Sequence, residues 1–435
     1  MERFVLLIST LDTKGPETLY LRDRIRDLGG NPLVLDLSMS GASHAADITS
    51  ASVAEAAGTT IQEIQLSRER KTITRQMITG AVKLTRDLLE SGRLAGVIGL
   101  GGSTGSLMAT DIMRSLPFGV PKLMVSSTAA LPGLATRYIG TGDIAILHTV
   151  IEISGLARPL QNLLDRAAGA IVGMASCPSL TVDSARQKGR PLVAMSMFGP
   201  TERCAHSVQQ RLESAGFQLI GFSAAGVCDR AMEEMIAQRF FDAVVDLAPG
   251  GVGEEVLGGM RAAGPDRMTA AGRLGIPQVI APGGVNLTSP RKSRYKPEHH
   301  QRRKFELDEL RTFLRVSDEE MDQIAHVFAE KLNQATGPAL LLFPGKGWSA
   351  VDPPDGHMFD KEQDRVFLRI LKENTGPHLG IREVDANLED AAFAEEVVKA
   401  CIEIFPKPET KEAGDVFYAA QQEGSVLVGS ERRTP

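Results

Sequence analysis

Cysteine is scarce in this sequence, and the four that occur, Cys177, Cys204, Cys228 and Cys401, stand far apart without a CxxC pair. That spacing argues against a disulfide framework or a structural zinc site and fits a reducing compartment. No apolar run is long enough to span a bilayer. The start, Met1 to Thr10, has no basic region, long apolar stretch or small-residue cleavage site, so no signal peptide is expected. Nor is there an excess of positive charge: the formal net charge is -6, which argues against general nucleic-acid or membrane-surface binding. These absences together predict a cytoplasmic protein without a membrane partner.

What is present is ordinary for a globular protein: 435 residues, 43% hydrophobic and 23% charged. The length exceeds what a single core supports, so two domains are expected. Phe4–Ser9 is short and continuously apolar, like a strand buried on both faces of a parallel sheet. A loop over Thr10–Gly15 leads to a helix whose first turn holds Pro16 and Glu17. Pro32–Leu37, Gly96–Leu100 and Lys122–Ser126 read as further strands, with a long helical region over about 59–91. The order then restarts. Pro191–Met197, Phe217–Phe222, Asp242–Leu247 and Ile276–Ile280 are strands, with helices between them and Gly-rich turns after the last two. Gly337–Phe343 and His378–Val384 are later strands, and Leu388–Ile404 is a closing helix. The predicted fold is α/β: two Rossmann-like subdomains, each a mostly parallel sheet flanked by helices. Their expected bounds are 1–187 and 188–410, followed by a polar tail over 411–435.

The sharpest local signal is Gly101-Gly102-Ser103-Thr104-Gly105, where a buried strand feeds a glycine turn and a helix. Such a turn can present backbone N–H groups and a positive helix end to a phosphate. It is neither a Walker A loop nor a complete GxGxxG. It also reads as G-x-S-x-G, a nucleophile elbow with Ser103 as nucleophile and Asp143 and His148 following in order; tight strand–helix packing is the plain structural alternative. The loop after the first strand holds Asp12, Thr13, Lys14 and Gly15. There Asp12 could accept from a hydroxyl and Lys14 could meet a phosphate. Ser127, Thr128, Thr141 and Asp143 end neighbouring segments and are expected to complete the same crevice.

A basic cluster runs from Arg291 to Lys304 and contains Tyr295, His299 and His300. It suits an anionic substrate, RNA stacked on Tyr295, or simply a solvated loop. No third ligand joins the adjacent histidines at a recognisable spacing, so no metal site is expected. Gly345-Lys346-Gly347 reads as a turn.

Taken together, Thr10–Gly15, Gly101–Gly105, Tyr138–Ile144, Met197–Thr201, Arg230–Glu234, Gly258-Gly259 with Ala263–Pro265, Gly275–Val279, Lys331–Asn333 and Gly347–Asp352 resemble the family typified by the N-terminal domain of the tomato mosaic virus resistance protein. The resemblance spans roughly residues 3–400. It implies two Rossmann-like subdomains, a homodimer, and ATP binding, with or without magnesium, in the N-terminal subdomain at the Asp12–Gly15 and Gly101–Gly105 loops. The second half departs from the family pattern at Ser223, Ala248–Gly251, Asn286 and His299–Gln301, which suggests a divergent substrate or activity. The leading expectation is therefore a nucleotide-binding protein whose reaction is open. One alternative is a metabolic enzyme, a hydrolase or a C–C- or acyl-cleaving enzyme, acting on a small carbonyl or acid substrate in an interdomain cleft through Ser103, His299 or His300. Another is a non-catalytic inhibitor or scaffold.

Overall fold

The structure, a computed structural model, describes residues 2–40, 45–178, 180, 182–309 and 311–409; the tail expected over 411–435 lies outside the described residues. The chain divides into two compact units that meet between Ala185 and Arg186.

The first unit runs β1 (Phe4–Ser9), α1 (Leu11–Asp27), β2 (Pro32–Asp36), α2 (Ser50–Ala56), α3 (Ile61–Leu66), α4 (Arg70–Glu90), β3 (Leu94–Gly101), α5 (Ser103–Arg114), β4 (Lys122–Ser126), α6 (Leu134–Ile139), β5 (Ala145–His148), α7 (Arg158–Ser176) and α8 (Val182–Ala185). Its sheet is parallel, in the order β2-β1-β3-β4-β5. Alternate residues of β1 serve two cores, as a strand's period of two requires. Leu6 and Ile8 pack with Val53, Met77 and Ile112 on one face. Val5 and Leu7 pack with Leu21, Leu164 and Ile171 on the other. The winding turns back between β1 and β3, the switch point where open α/β sheets of this order bind ligands at the strands' carboxyl ends.

Two local expectations are corrected. The segment Thr10–Gly15 is not a loop, because α1 begins at Leu11 and kinks at Lys14. Pro16 has no N–H to return to Asp12, so the helix cannot run straight through this turn. The helical region over 59–91 is two helices, broken between Leu66 and Arg70.

Gly80 shows how closely α4 lies on α2: a Cβ there would meet the Val53 carbonyl oxygen at 1.9 Å. Alanine normally stabilises a helix interior by about 0.5–1 kcal/mol over glycine. For Gly80→Ala the expected sign is reversed, a loss of about 1–3 kcal/mol from overpacking. Urea unfolding of the variant measures it, and a gain in stability would contradict the contact.

The second unit contains β6 (Leu192–Met197), α9 (Glu202–Ser214), β7 (Gln218–Ser223), α10 (Val227–Ala237), β8 (Ala243–Asp246), α11 (Gly251–Leu257), α12 (Ala270–Arg273), β9 (Gln278–Ile280), β10 (Leu287–Thr288), β11 (Lys304–Glu306), β12 (Thr312–Arg315), α13 (Asp318–Leu332), β13 (Ala339–Pro344), α14 (Lys361–Asn374), β14 (Leu379–Val384) and α15 (Ala391–Ile404). Its parallel sheet is ordered β14-β13-β9-β8-β6-β7. Followed from β7, this repeats the winding of the first unit and places the switch point between β6 and β8. A small antiparallel sheet, β10-β12-β11, is added. The fold is thus α/β with two parallel, helix-flanked sheets. Trp348, the single tryptophan, is fully buried among Phe343 and Phe367.

Candidate functional site

At the switch point of the first unit lies a cleft of about 310 Å³ lined by Thr10, Asp12, Thr13, Lys14, Met39, Arg70, Gly102, Ser103, Thr104 and Gly105. Three helix starts line it, those of α1, α4 and α5, and the first and last of these differ. The first amides of α1 are already taken. Leu11 N donates to Asp36 Oδ1 at 3.0 Å and Asp12 N to Ser38 Oγ at 2.9 Å, while Thr13 N and Lys14 N return to the Thr10 carbonyl. The start of α5 is open. Gly102, at its N-cap, supplies no side chain. Ser106 N bonds to Gly102 O, but the amides of Ser103, Thr104 and Gly105 have no protein acceptor among the described residues. A helix start is where unmet N–H groups and the positive end of the macrodipole coincide.

The glycines make this geometry possible. A Cβ on Gly101 would press on Gly105 Cα at 3.0 Å, whereas one on Gly102 would meet only Ser127 Oγ, at 3.8 Å. The turn is therefore tight at Gly101 and open at Gly102. Around it, Lys14 Nζ donates to the Ile153 carbonyl at 2.5 Å, which fixes the ammonium beside the cleft with protons to spare. Asp12 accepts from Ser40 Oγ at 2.5 Å. Nothing lies within 4 Å of a Cβ on Gly15. Ser127 Oγ donates to Glu152 Oε1 at 3.3 Å. Thr128 is committed elsewhere, its hydroxyl 2.9 Å from that of Tyr138.

Thr141 and Asp143 do not join this group. Asp143 Oδ1 accepts from Lys122 Nζ at 2.6 Å and Oδ2 from Gly119 N at 2.9 Å. Lys122 opens β4 and Ser126 closes it, so at about 3.3 Å per residue the two edges are about 13 Å apart. Thr141 and Asp143 precede β5 and sit at the amino edge, opposite the cleft. The same placement dismantles the nucleophile elbow: Asp143 is at the wrong edge, and His148 Nδ1 faces the Ser126 carbonyl at 3.3 Å.

Of the two adjacent histidines in the second unit, His299 is held within the fold and His300 is exposed. His299 is buried, and its Nδ1 accepts from Lys296 N at 3.2 Å. Burial, then the neighbouring Arg302, holds its ring below the ordinary imidazole range. Tyr295 packs edge-on against both His299 and His300, so its ring is not laid flat for a base. Arg302, Arg303 and Lys304 pair with Glu320, Asp360 and Glu306.

The second switch point is filled from within. Ser196 Oγ donates to Asp246 Oδ1 at 2.7 Å and accepts from Ala248 N at 2.9 Å. Arg261 lies over Phe198 and Phe313, 4.6 and 5.3 Å from their ring centroids. A Cβ on Gly250 would come within 2.5 Å of the Gly284 carbonyl oxygen. The departing turn Ala248–Gly251 is thus packed, and Asn286 Nδ2 is bound to Asp352 Oδ2 at 2.8 Å. A larger groove of about 780 Å³ lies against Gly189, Gly216 and Lys407–Glu409. It offers no strand-end glycine turn, so size alone does not make it the site. Among the described residues no helix is long and apolar enough to cross a membrane, and no three His, Cys, Asp or Glu side chains are placed to hold a metal ion.

Sequence reasoning missed Arg70, Met39, Ser38 and Glu152. Only Arg70 left a trace, as the first of two cations, Arg70 and Lys71, at a helix start.

Comparison with known proteins agrees with the two-unit division. Models of the N-terminal and C-terminal domains of an uncharacterised protein family, UPF0261, match residues 3–179 and 190–405. A UPF0261 protein of Clostridium tetani is 32% identical over 412 residues, covering 94% of this chain and 100% of that protein. One from Brucella suis is 33% identical, covering 90% and 93%. The ToMV resistance protein Tm-1(GCR237) of Solanum lycopersicum is 33% identical over 322 residues, which is 72% of this chain and 42% of that protein. The chain belongs to the uncharacterised protein family UPF0261 and carries both of its domains.

Proposed function

We propose that the first unit binds the phosphate groups of a nucleotide, ATP foremost, at the start of α5. One observation carries this reading: the consecutive amides of Ser103, Thr104 and Gly105, without acceptors among the described residues, open on a cleft at a sheet switch point. A phosphate there would accept several charge-assisted N–H bonds and meet the positive end of α5. Lys14, tethered by Ile153 O, supplies a fixed cation. Asp12, which lines the same cleft, would accept from a ribose hydroxyl. It is also the carboxylate through which a magnesium ion, keeping its waters and the phosphate oxygens, would be held. The residues argue for binding. Ser103 gains no base partner, so hydrolysis through an activated serine loses its support.

Calorimetric titration of the full chain with ATP and MgCl2 tests this. Wild type is expected to bind, and Gly102→Asp to lose affinity by at least about 100-fold. Its carboxylate would stand where phosphate is received, and hydrogen bonds to a charged group contribute about 1.5–3 kcal/mol each. Because a Cβ on Gly102 meets only Ser127 Oγ, the variant should keep its circular dichroism spectrum. Equal affinity of the two proteins would refute the site.

A further inference from the structure

We infer that the second unit binds a monovalent cation, sodium or potassium, through Asp364 Oδ2 and Asn286 Oδ1, where its small antiparallel sheet joins the parallel one. The first support is a pair of buried acceptors that the chain leaves without donors. Asn286 is fully buried and Asp364 is 3% exposed. Yet Asn286 Oδ1 and Asp364 Oδ2 have no hydrogen-bond partner among the described residues. The groups around them are engaged. Asn286, which neighbours Asp364, donates through Nδ2 to Asp352 Oδ2 at 2.8 Å. That oxygen also accepts from Trp348 N at 2.9 Å, and Asp352 Oδ1 accepts from Ser349 Oγ at 2.6 Å. Arg315 is spent as well. Its Nε donates to Gln363 Oε1 at 2.7 Å, its Nη1 to the Met358 carbonyl at 3.1 Å, and its Nη2 to the Asp360 carbonyl at 3.3 Å and to Asp364 Oδ1. A buried oxygen without a donor calls for an ordered water or an ion.

The second support is charge, and it chooses the ion. Asp352 and Asp364 face one guanidinium, that of Arg315, so the group carries one excess negative charge in the interior. Buried charge is costly unless it is paired or meets a metal ion. One monovalent ion closes the deficit. A divalent ion would overshoot it, and among the described residues no three His, Cys, Asp or Glu side chains are placed to hold one. A carboxylate oxygen and an amide oxygen are hard ligands, which suit a hard cation whose remaining positions water fills. The ligands come from separate parts of the unit: Asn286 lies between β9 and β10, Asp364 on α14, and Arg315, which orients Asp364, ends β12. The bound ion therefore fastens the small sheet to the larger one.

Thermal unfolding of the full chain at pH 8, followed by Trp348 fluorescence, tests the site in NaCl, KCl and choline chloride at equal ionic strength. The wild-type midpoint is expected to be about 3–6 °C higher in sodium or potassium than in choline, the shift for an ion at about ten times its Kd. It should climb along a saturating curve as that salt replaces choline chloride. In Asp364→Asn the excess charge is gone and the new amide can donate to Asn286 Oδ1, so its midpoint should be the same in all three salts. Equal wild-type midpoints in the three salts overturn the site and leave water as the donor to both oxygens. A cation response that persists in Asp364→Asn overturns it too. Should that variant fail to fold, the wild-type curve decides, and a rise that does not saturate counts against the ion.

Discussion

Replacing Arg267 with leucine is expected to destabilise the second unit by about 3–5 kcal/mol, the cost of leaving buried charges without their partner. Arg267 is 1% exposed and is the hub of three carboxylates. Its Nε donates to Asp229 Oδ1 at 3.0 Å, its Nη1 to Glu233 Oε1 at 3.3 Å, and its two Nη atoms to Asp246 at 2.6 and 2.8 Å. Burial raises Asp229 and Glu233 above the ordinary carboxylate range even with the arginine present. The cluster ties the end of β8 to α10 and to the segment before α12, so its failure should spread through the unit. Arg267→Lys keeps the charge but loses the fork, and should fall between. Fluorescence of the buried Trp348 during urea unfolding reports on this unit alone. A loss below about 1 kcal/mol would mean the cluster relaxes by hydration.

The second large effect is a pH dependence. Asp352 and Asp364 are both buried and share one guanidinium, Arg315, with Asn286 as a neutral neighbour. Two carboxylates against one cation leave an excess negative charge in a low-dielectric interior, which a proton relieves. Burial raises Asp364 to about 7, well above the ordinary carboxylate range; Arg315 pulls the other way. Between about pH 4, where an unfolded aspartate titrates, and about pH 7 the folded chain therefore keeps a proton that the unfolded chain has released. Stability from this group is complete below about pH 4, is lost as pH rises towards about 7, and is flat beyond. At about 1.4 kcal/mol per pK unit, tempered by the coupling to Asp352, the fall should be about 2–4 kcal/mol. In Asp364→Asn the Arg315 contact can persist through the amide oxygen while the titration disappears. The variant should therefore show a flatter profile and exceed wild type at about pH 8. Parallel profiles for the two proteins across this pH range would sink the idea.

The sequence made the sheets legible because parallel strands are buried on both faces, and a short, continuous apolar run such as Phe4–Ser9 fits that environment and little else. The glycine turn at Gly101 was equally plain. The start of α1 was not, because its cap comes from Asp36 and Ser38, the latter 26 residues from the amide it accepts. The edge on which Asp143 falls was hidden too. It depends on β5 beginning just after it, and a four-residue strand, Ala145–His148, carries too little pattern to be told from a helix. The small sheet escaped for the same reason, as β10 has two residues. The plug in the second switch point is tertiary: nothing local to Arg261 announces that it will lie on Phe198 and Phe313.

The sealed start of α1 has a directional consequence. With Asp36 and Ser38 closing that end, the open main-chain donors of the first cleft lie on the α5 side, while α1 offers it side chains, Asp12 and Lys14. On the reading proposed above, a phosphate-bearing guest would sit one way round, its phosphates towards α5. A fluorophore or linker on such a guest would then belong at the end away from the phosphates.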